Sequence, residues 1–207
     1  MVSSFKFENV EITYLKHASF KVKGSKVVYM DPYELPEGLE KADLILATHD
    51  HFDHFDPKSA RRISKSETIV VIPKGSSVSG FLTRTVSVGE EVEVAGVKVK
   101  AVPAYNVNKP FHRKGYGVGY ILTMDKVRIY HAGDTDRIPE MKGIEVDIAL
   151  LPVGGKYTMD LNEAVEAAKD IKAKYYIPMH FGIPGTETDP VKFASKVKNA
   201  VVLKPLI

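Results

Sequence analysis

The 207-residue chain contains no cysteine, no tryptophan and no glutamine. Without cysteine there is no disulfide, no thiolate metal ligand and no thiol nucleophile. Long apolar runs are also missing. None approaches the roughly 18 residues that a membrane-spanning helix needs, so no membrane partner is expected. The opening MVSSFKFENVEITYL alternates polar and apolar residues and lacks the apolar stretch of a secretory signal. The cytoplasm is therefore the expected compartment. Charge of one sign is not in excess: 29 basic against 26 acidic residues give a net +3. That balance is too mild to call for nucleic acid as a partner. No 20–50-residue repeat is present, which excludes solenoids and propellers. What is there is ordinary globular material, 44% hydrophobic and 27% charged, rich in Lys and Glu. Abundant charge with few thermolabile residues is the composition of heat-stable proteins.

The chain reads as one domain over residues 1–207, since no linker-like stretch divides it. Strand-like alternation covers Val10–Leu15, Ser19–Lys23 and Lys26–Met30. Leu44–Ala47 is a continuous apolar run, the pattern of a strand buried on both faces. Asp56-Pro57 reads as an N-cap and first helical residue, which predicts a helix over about Pro57–Ser64. Further strands are expected at Thr68–Ile72, Thr85–Val88, Glu91–Ala95, Val97–Val102, Gly117–Thr123 and Val127–His131. The second half alternates strand and helix. Strands are expected at Asp147–Val153, Tyr175–His180 and Val201–Leu203, and helices at Leu161–Ile171 and Pro190–Lys198. Asp160 and Glu163 form a capping-box pattern before the first of these helices. Strands in both halves, with helices near each half's end, suggest two facing sheets with helices outside. The longest irregular segment, Ala104–Gly115, is the kind of long loop that often carries function.

Three of the seven histidines fall in Thr48-His49-Asp50-His51-Phe52-Asp53-His54, directly after a buried strand and before a capped helix. Strand ends are where α/β proteins place their chemistry. Imidazole and carboxylate donors suit borderline divalent metals such as zinc. In a tight loop His49 and His51 reach one side of a point while Asp53 and His54 reach another, so two adjacent metals can be held.

These residues resemble the metallo-β-lactamase superfamily along nearly the whole chain. The similarity is greatest to its short branch of L-ascorbate 6-phosphate lactonase-like and related metal-dependent hydrolases. Tyr14-Leu15-Lys16-His17-Ala18-Ser19-Phe20 is similar to the branch's opening motif, with Lys16 where Gly is common. His49–His54 matches the superfamily's H-x-H-x-D-H motif. His131-Ala132-Gly133-Asp134-Thr135 and Pro178-Met179-His180 resemble its two later motifs. The resemblance implies an α/β fold, an αββα sandwich of two facing mixed β-sheets with helices outside. It implies that His49 and His51 bind metal one, that Asp53, His54 and His180 bind metal two, and that Asp134 bridges both. The family's usual third histidine of metal one is absent after Val102–Tyr105. Asn106 stands there and His112 lies six residues on. Imidazole is the better zinc ligand, and six extended residues span up to about 20 Å, so His112 is the preferred candidate and Asn106 a substrate contact or a supporting donor.

Lys109, Arg113 and Lys114 flank His112; Lys109 and Arg113 are candidate contacts for an anionic substrate, with a solvated basic loop as the plainer reading. His17 is a candidate substrate contact or a hydrogen-bonded structural residue. His131 reads as a core residue, and Gly133 and Gly154 as turns or points of close approach. The expected cofactors are two divalent ions, zinc first, with manganese or iron as alternatives. The expected function is a metal-dependent hydrolase using a metal-bound hydroxide on a small ester, lactone or phosphodiester, with Asp53 and Asp134 as catalytic carboxylates. The alternatives are a metal-binding sensor or interaction module without turnover and a nucleic-acid-processing phosphodiesterase. The nucleases of this superfamily carry an inserted domain that the 46 residues from Asp134 to His180 cannot hold.

Overall fold

The computed structural model describes residues 2–186 and 188–207. Seven strands form the first sheet in chain order: β1 (Ser4–Phe7), β2 (Val10–Lys16), β3 (Ser19–Lys23), β4 (Val27–Met30), β5 (Leu44–Leu46), β6 (Ile69–Pro73) and β7 (Leu82–Val86). Its first half pairs antiparallel and its second half, from β4 onward, parallel. The second sheet has the order β13-β12-β11-β10-β9-β8. It is built from β8 (Glu91–Val94), β9 (Val97–Ala104), β10 (Gly117–Met124), β11 (Val127–His131), β12 (Glu145–Pro152) and β13 (Lys172–Met179). Here too an antiparallel hairpin region passes into a parallel one, at β11 and β12.

Parallel strands need crossovers that cover their faces, and this explains the continuous apolar runs. In β4, β5 and β6 alternate side chains serve two different cores. Val28, Met30, Leu44, Leu46 and Val71 join the main core shared with the second sheet. Tyr29, Ile45, Val70 and Ile72 join a smaller one on the outer face. That outer core is covered by α1 (Pro57–Ile63) through Ala60 and Ile63. Asp56 starts this helix by accepting from the backbone N–H groups of Lys58 and Ser59. α2 (Leu161–Asp170) and α3 (Pro190–Ala194) lean on β13. α2 buries Ala164, Ala167 and Ala168, and Asp160 and Glu163 close its capping box. Tyr120 ties the sheets together, its hydroxyl donating to Ala47 O at 2.9 Å.

Several elements differ from expectation, among them the strand expected at Thr85–Val88, which runs as Leu82–Val86. β1 forms where only alternation was noted, because Ser4–Phe7 pairs with Val10–Thr13 of β2. Val201–Leu203 is not a strand: Ala200 just before it makes an isolated bridge to Tyr176, Val201 N–H donates to Tyr176 O, and the chain then turns toward β2, where Leu206 N–H donates to Tyr14 O. α3 stops at Ala194 instead of Lys198, and the Ser195 hydroxyl bonds back to Lys192 O, a local bond that competes with helix continuation. Among the described residues no helix is long and apolar enough to cross a membrane.

Candidate metal centre

The chain brings its chemistry to one edge of the sandwich, where β4, β5, β9, β11 and β13 end. His17 occupies the β2–β3 turn with φ of 56°, and His180 follows β13 with φ of 58°. His and Asn tolerate this left-handed region better than most residues, but it is uncommon and marks backbone held by its surroundings. The two backbones hold each other: His180 N–H donates to His17 O at 2.8 Å, and the Tyr14 hydroxyl donates to the same oxygen at 2.9 Å. Two glycines allow the strand ends to converge. At Gly133, φ is +66° and an added Cβ would stand 2.9 Å from Val118 O; at Gly154 it would stand 2.5 Å from His180 O.

The expected ligands, joined by His17, expected only as a substrate contact or structural residue, come together as three groups. His49, His51 and His112 form one; His17, Asp53, His54 and His180 form another; His49, His54 and Asp134 link them. Within each group the donor atoms lie within 4.8 Å of one another. His49 Nε2 is 3.0 Å from His51 Nδ1. Asp134 Oδ2 is 3.1 Å from His180 Nε2 and 3.3 Å from His112 Nε2, and its Oδ1 is 3.3 Å from His54 Nε2. Ligands at about 2.0–2.1 Å around a tetrahedral zinc stand roughly 3.4 Å apart, so the spacing fits. So does the hydrogen bonding. Buried polar atoms are normally paired, yet His54 Nε2, Asp134 Oδ1 and both ring nitrogens of His17 have no hydrogen-bond partner among the described residues. A divalent cation is the group that such atoms accommodate.

Protonation agrees with ligation. Burial pushes His17 down to about 4 and holds His49 well below the usual histidine value; it lowers His112 as well. Burial opposes ionisation of Asp53, but the His17 and His54 imidazoles outweigh it and hold the carboxyl well below its usual range. Asp134 is likewise kept ionised against burial by His180 and His54. His54 is the exception. Burial pulls it down, yet the Asp134 and Asp31 carboxylates hold it well above the usual value. A cation between these groups would supply the positive charge that the His54 proton otherwise supplies.

The supporting shell is where sequence reading fell short. Asp31, fully buried at the end of β4, accepts from His54 Nδ1 at 2.7 Å and from the backbone N–H and hydroxyl of Thr48, both at 2.7 Å. Donating Nδ1–H to a carboxylate leaves the His54 Nε2 lone pair facing the site. The available signal was an acidic residue closing an apolar strand, in Met30-Asp31-Pro32. Asn106 is buried; its Oδ1 accepts from His112 N–H and from His112 Nδ1 at 3.1 Å, while its amide nitrogen donates to Asp136 Oδ1 and Tyr157 O. Asn106 thus aims His112 rather than meeting a substrate. His131 is a core residue, its Nε2 donating to Ala18 O.

A cavity of about 400 Å³ opens over the groups, with His51, Asp53, His112, Asp134 and His180 as its floor. Its remaining lining is Phe52, Phe111, Tyr157, Ile183 and Pro184. Three candidate substrate contacts lie outside this lining. Lys109 is turned into an ion pair with Asp136 at 2.5 Å and with Glu163 at 3.2 Å. Arg113 is exposed outside the cavity lining. The His17 side chain is fully buried against Asp53, 3.3 Å away, and takes no part in the cavity wall.

A family model described as a beta-lactamase superfamily domain matches residues 11–180. The chain is 33% identical over 218 aligned positions to the UPF0173 metal-dependent hydrolase of Pyrococcus horikoshii, covering 95% of this chain and 97% of that one. It is 37% identical to the UPF0173 metal-dependent hydrolase of Thermoplasma acidophilum, covering 90% of each. A metal-dependent hydrolase structure from Parabacteroides distasonis superposes with a TM-score of 0.90 at 31% identity, covering 99% of this chain and 100% of that one. Igni18, a metallo hydrolase of Ignicoccus hospitalis, gives 0.77 at 28%, with 95% of each covered.

Proposed function

The chain belongs to the metallo-β-lactamase superfamily, among its UPF0173 metal-dependent hydrolases, and from that premise we propose that it hydrolyses a small ester, lactone or phosphodiester with two divalent cations, zinc first, in the cytoplasm. The observation that carries the reading is the set of buried ligand atoms that have no hydrogen-bond partner among the described residues, at and next to the floor of an open cavity. His49, His51 and His112 would hold one ion; His17, Asp53, His54 and His180 would hold the other; Asp134 touches both groups. A pair of such ions lowers the pKa of water toward neutrality and polarises the bond that is attacked.

The rest falls to the chain's own residues. Asp134 and Asp53 supply two negative charges that balance the cations. Asp53, with 22% of its side chain exposed on the cavity floor, is the carboxylate placed to take a proton from the attacking water and hand it to the leaving oxygen. Asp134, with 4% of its side chain exposed, serves to hold the two groups together. Asp31 and Asn106 fix the imidazoles of His54 and His112. The test is metal analysis joined to a hydrolase screen. Two equivalents of metal, with ester, lactone or phosphodiester turnover lost on chelation and restored by zinc, is the expected result. Full turnover in metal-free protein would overturn it.

A further inference from the structure

We propose that the substrate of this site is electrically neutral away from the bond that is cleaved, and carries an aromatic or compact apolar group beside it. The inference rests on the hydrolase reading and concerns the upper half of the same cavity. The floor is all imidazole and carboxylate, whereas the wall above it is Phe52, Phe111, Tyr157, Ile183 and Pro184. Phe52 is 74% exposed and Phe111 40% exposed. Large apolar surface left in water at the mouth of a polar site is what a ligand's apolar part covers. The rings are held in place: Phe111 lies edge-on to Tyr157 with centroids 4.8 Å apart, and Phe52 edge-on to Tyr33 at 6.1 Å.

The charges near the cavity point the same way. No Lys or Arg is among the lining residues. Lys109 is committed to Asp136 and Glu163, Lys114 to Glu140 and Lys16 to Glu34. Lys156 lies over the Tyr157 ring, its Nζ 5.0 Å from the centroid. A second anionic group on the substrate would be drawn from water onto Phe52 and Phe111 with no Lys or Arg among the lining residues to meet it, which is costly. An aromatic or branched apolar group would instead remove these rings from water. For an ester, water supplies the oxygen that joins the acyl carbon, the carbon–alkoxy bond breaks, and the alcohol leaves with a proton carried by Asp53.

The experiment uses zinc-loaded protein and three methyl esters whose leaving group is the same: methyl phenylacetate, methyl acetate and monomethyl succinate, followed by proton release. In parallel, titration calorimetry reads the binding of phenylacetohydroxamate, acetohydroxamate and succinate monohydroxamate, which need no turnover. The expected result is a preference of about tenfold or more for the phenyl compound over the succinate one in both series. Phe111→Ala and Phe52→Ala should each shrink that ratio severalfold. Equal or better use of the succinate compounds, or a ratio untouched in both variants, overturns the proposal. Absence of ester turnover with the hydroxamate preference intact would count against the hydrolase reading and leave this inference standing.

Discussion

The two ligand groups are built from different materials. His17, Asp53, His54 and His180 sit on a tight turn, the start of α1's loop and a strand end, with His17 and His180 tied backbone to backbone. His49, His51 and His112 rely on a long loop for their third member, and that loop is kept in place by polar side chains. Asn106 holds His112, Asp136 holds Asn106, and Lys109 closes over Asp136. The first group is rigid because its backbone is part of the sheets. The second is only as rigid as a chain of hydrogen bonds. The first group offers four side chains to a cation and the second three, so the open coordination position that catalysis needs would lie beside the three histidines.

Removing what the two groups share should have the largest effect. Asp134→Asn takes away a carboxylate that contacts His54, His112 and His180 at once. Turnover should fall by about 10²–10³-fold or more, with circular dichroism unchanged. Wild-type activity would show that the two groups work apart. Chelation should abolish turnover equally, while thiol-blocking reagents have no effect on a chain without cysteine.

Next come the third and fourth ligands. His112→Ala should leave one tightly bound metal equivalent of two, measured by metal titration. His17→Ala should keep both equivalents but weaken one by about 10–100-fold and alter the visible spectrum of the cobalt-substituted protein. If His17→Ala leaves spectrum and affinity unchanged, His17 only packs against Asp53. The smallest effect should come from the supports. Asn106→Ala and Asp136→Asn should each weaken only the ion at the three histidines, by about tenfold. Equal weakening of both ions would show that the loop and the strand ends are not independent.

Local chemistry explains what could be read in advance. The contiguous His49–His54 run, the caps at Asp56 and Asp160, and the doubly buried strand at Leu44–Leu46 all declare themselves over a few residues. Asp31 and Asp136 do not, because each works through a partner 23 or 30 residues away, His54 or Asn106. The basic loop misled for the same reason: Lys109 looks free until Asp136 and Glu163 arrive from β11's end and from α2. Val201–Leu203 has a strand's residue types, but its pairing depended on a neighbour that the tail passes by on its way to β2.

By itself, then, the sequence determined most of the elements and singled out most of the candidate donors, because propensity, capping and ligand chemistry act within a few bonds. Only the tertiary structure decided which candidate donors lie together, that His17 joins Asp53, His54 and His180, that Asn106 aims His112, and that the cavity wall is aromatic rather than basic. Those outcomes depend on where two sheets bring distant strand ends together. No local pattern carries that information, because the energy that fixes each contact belongs to a pair of residues far apart in the chain.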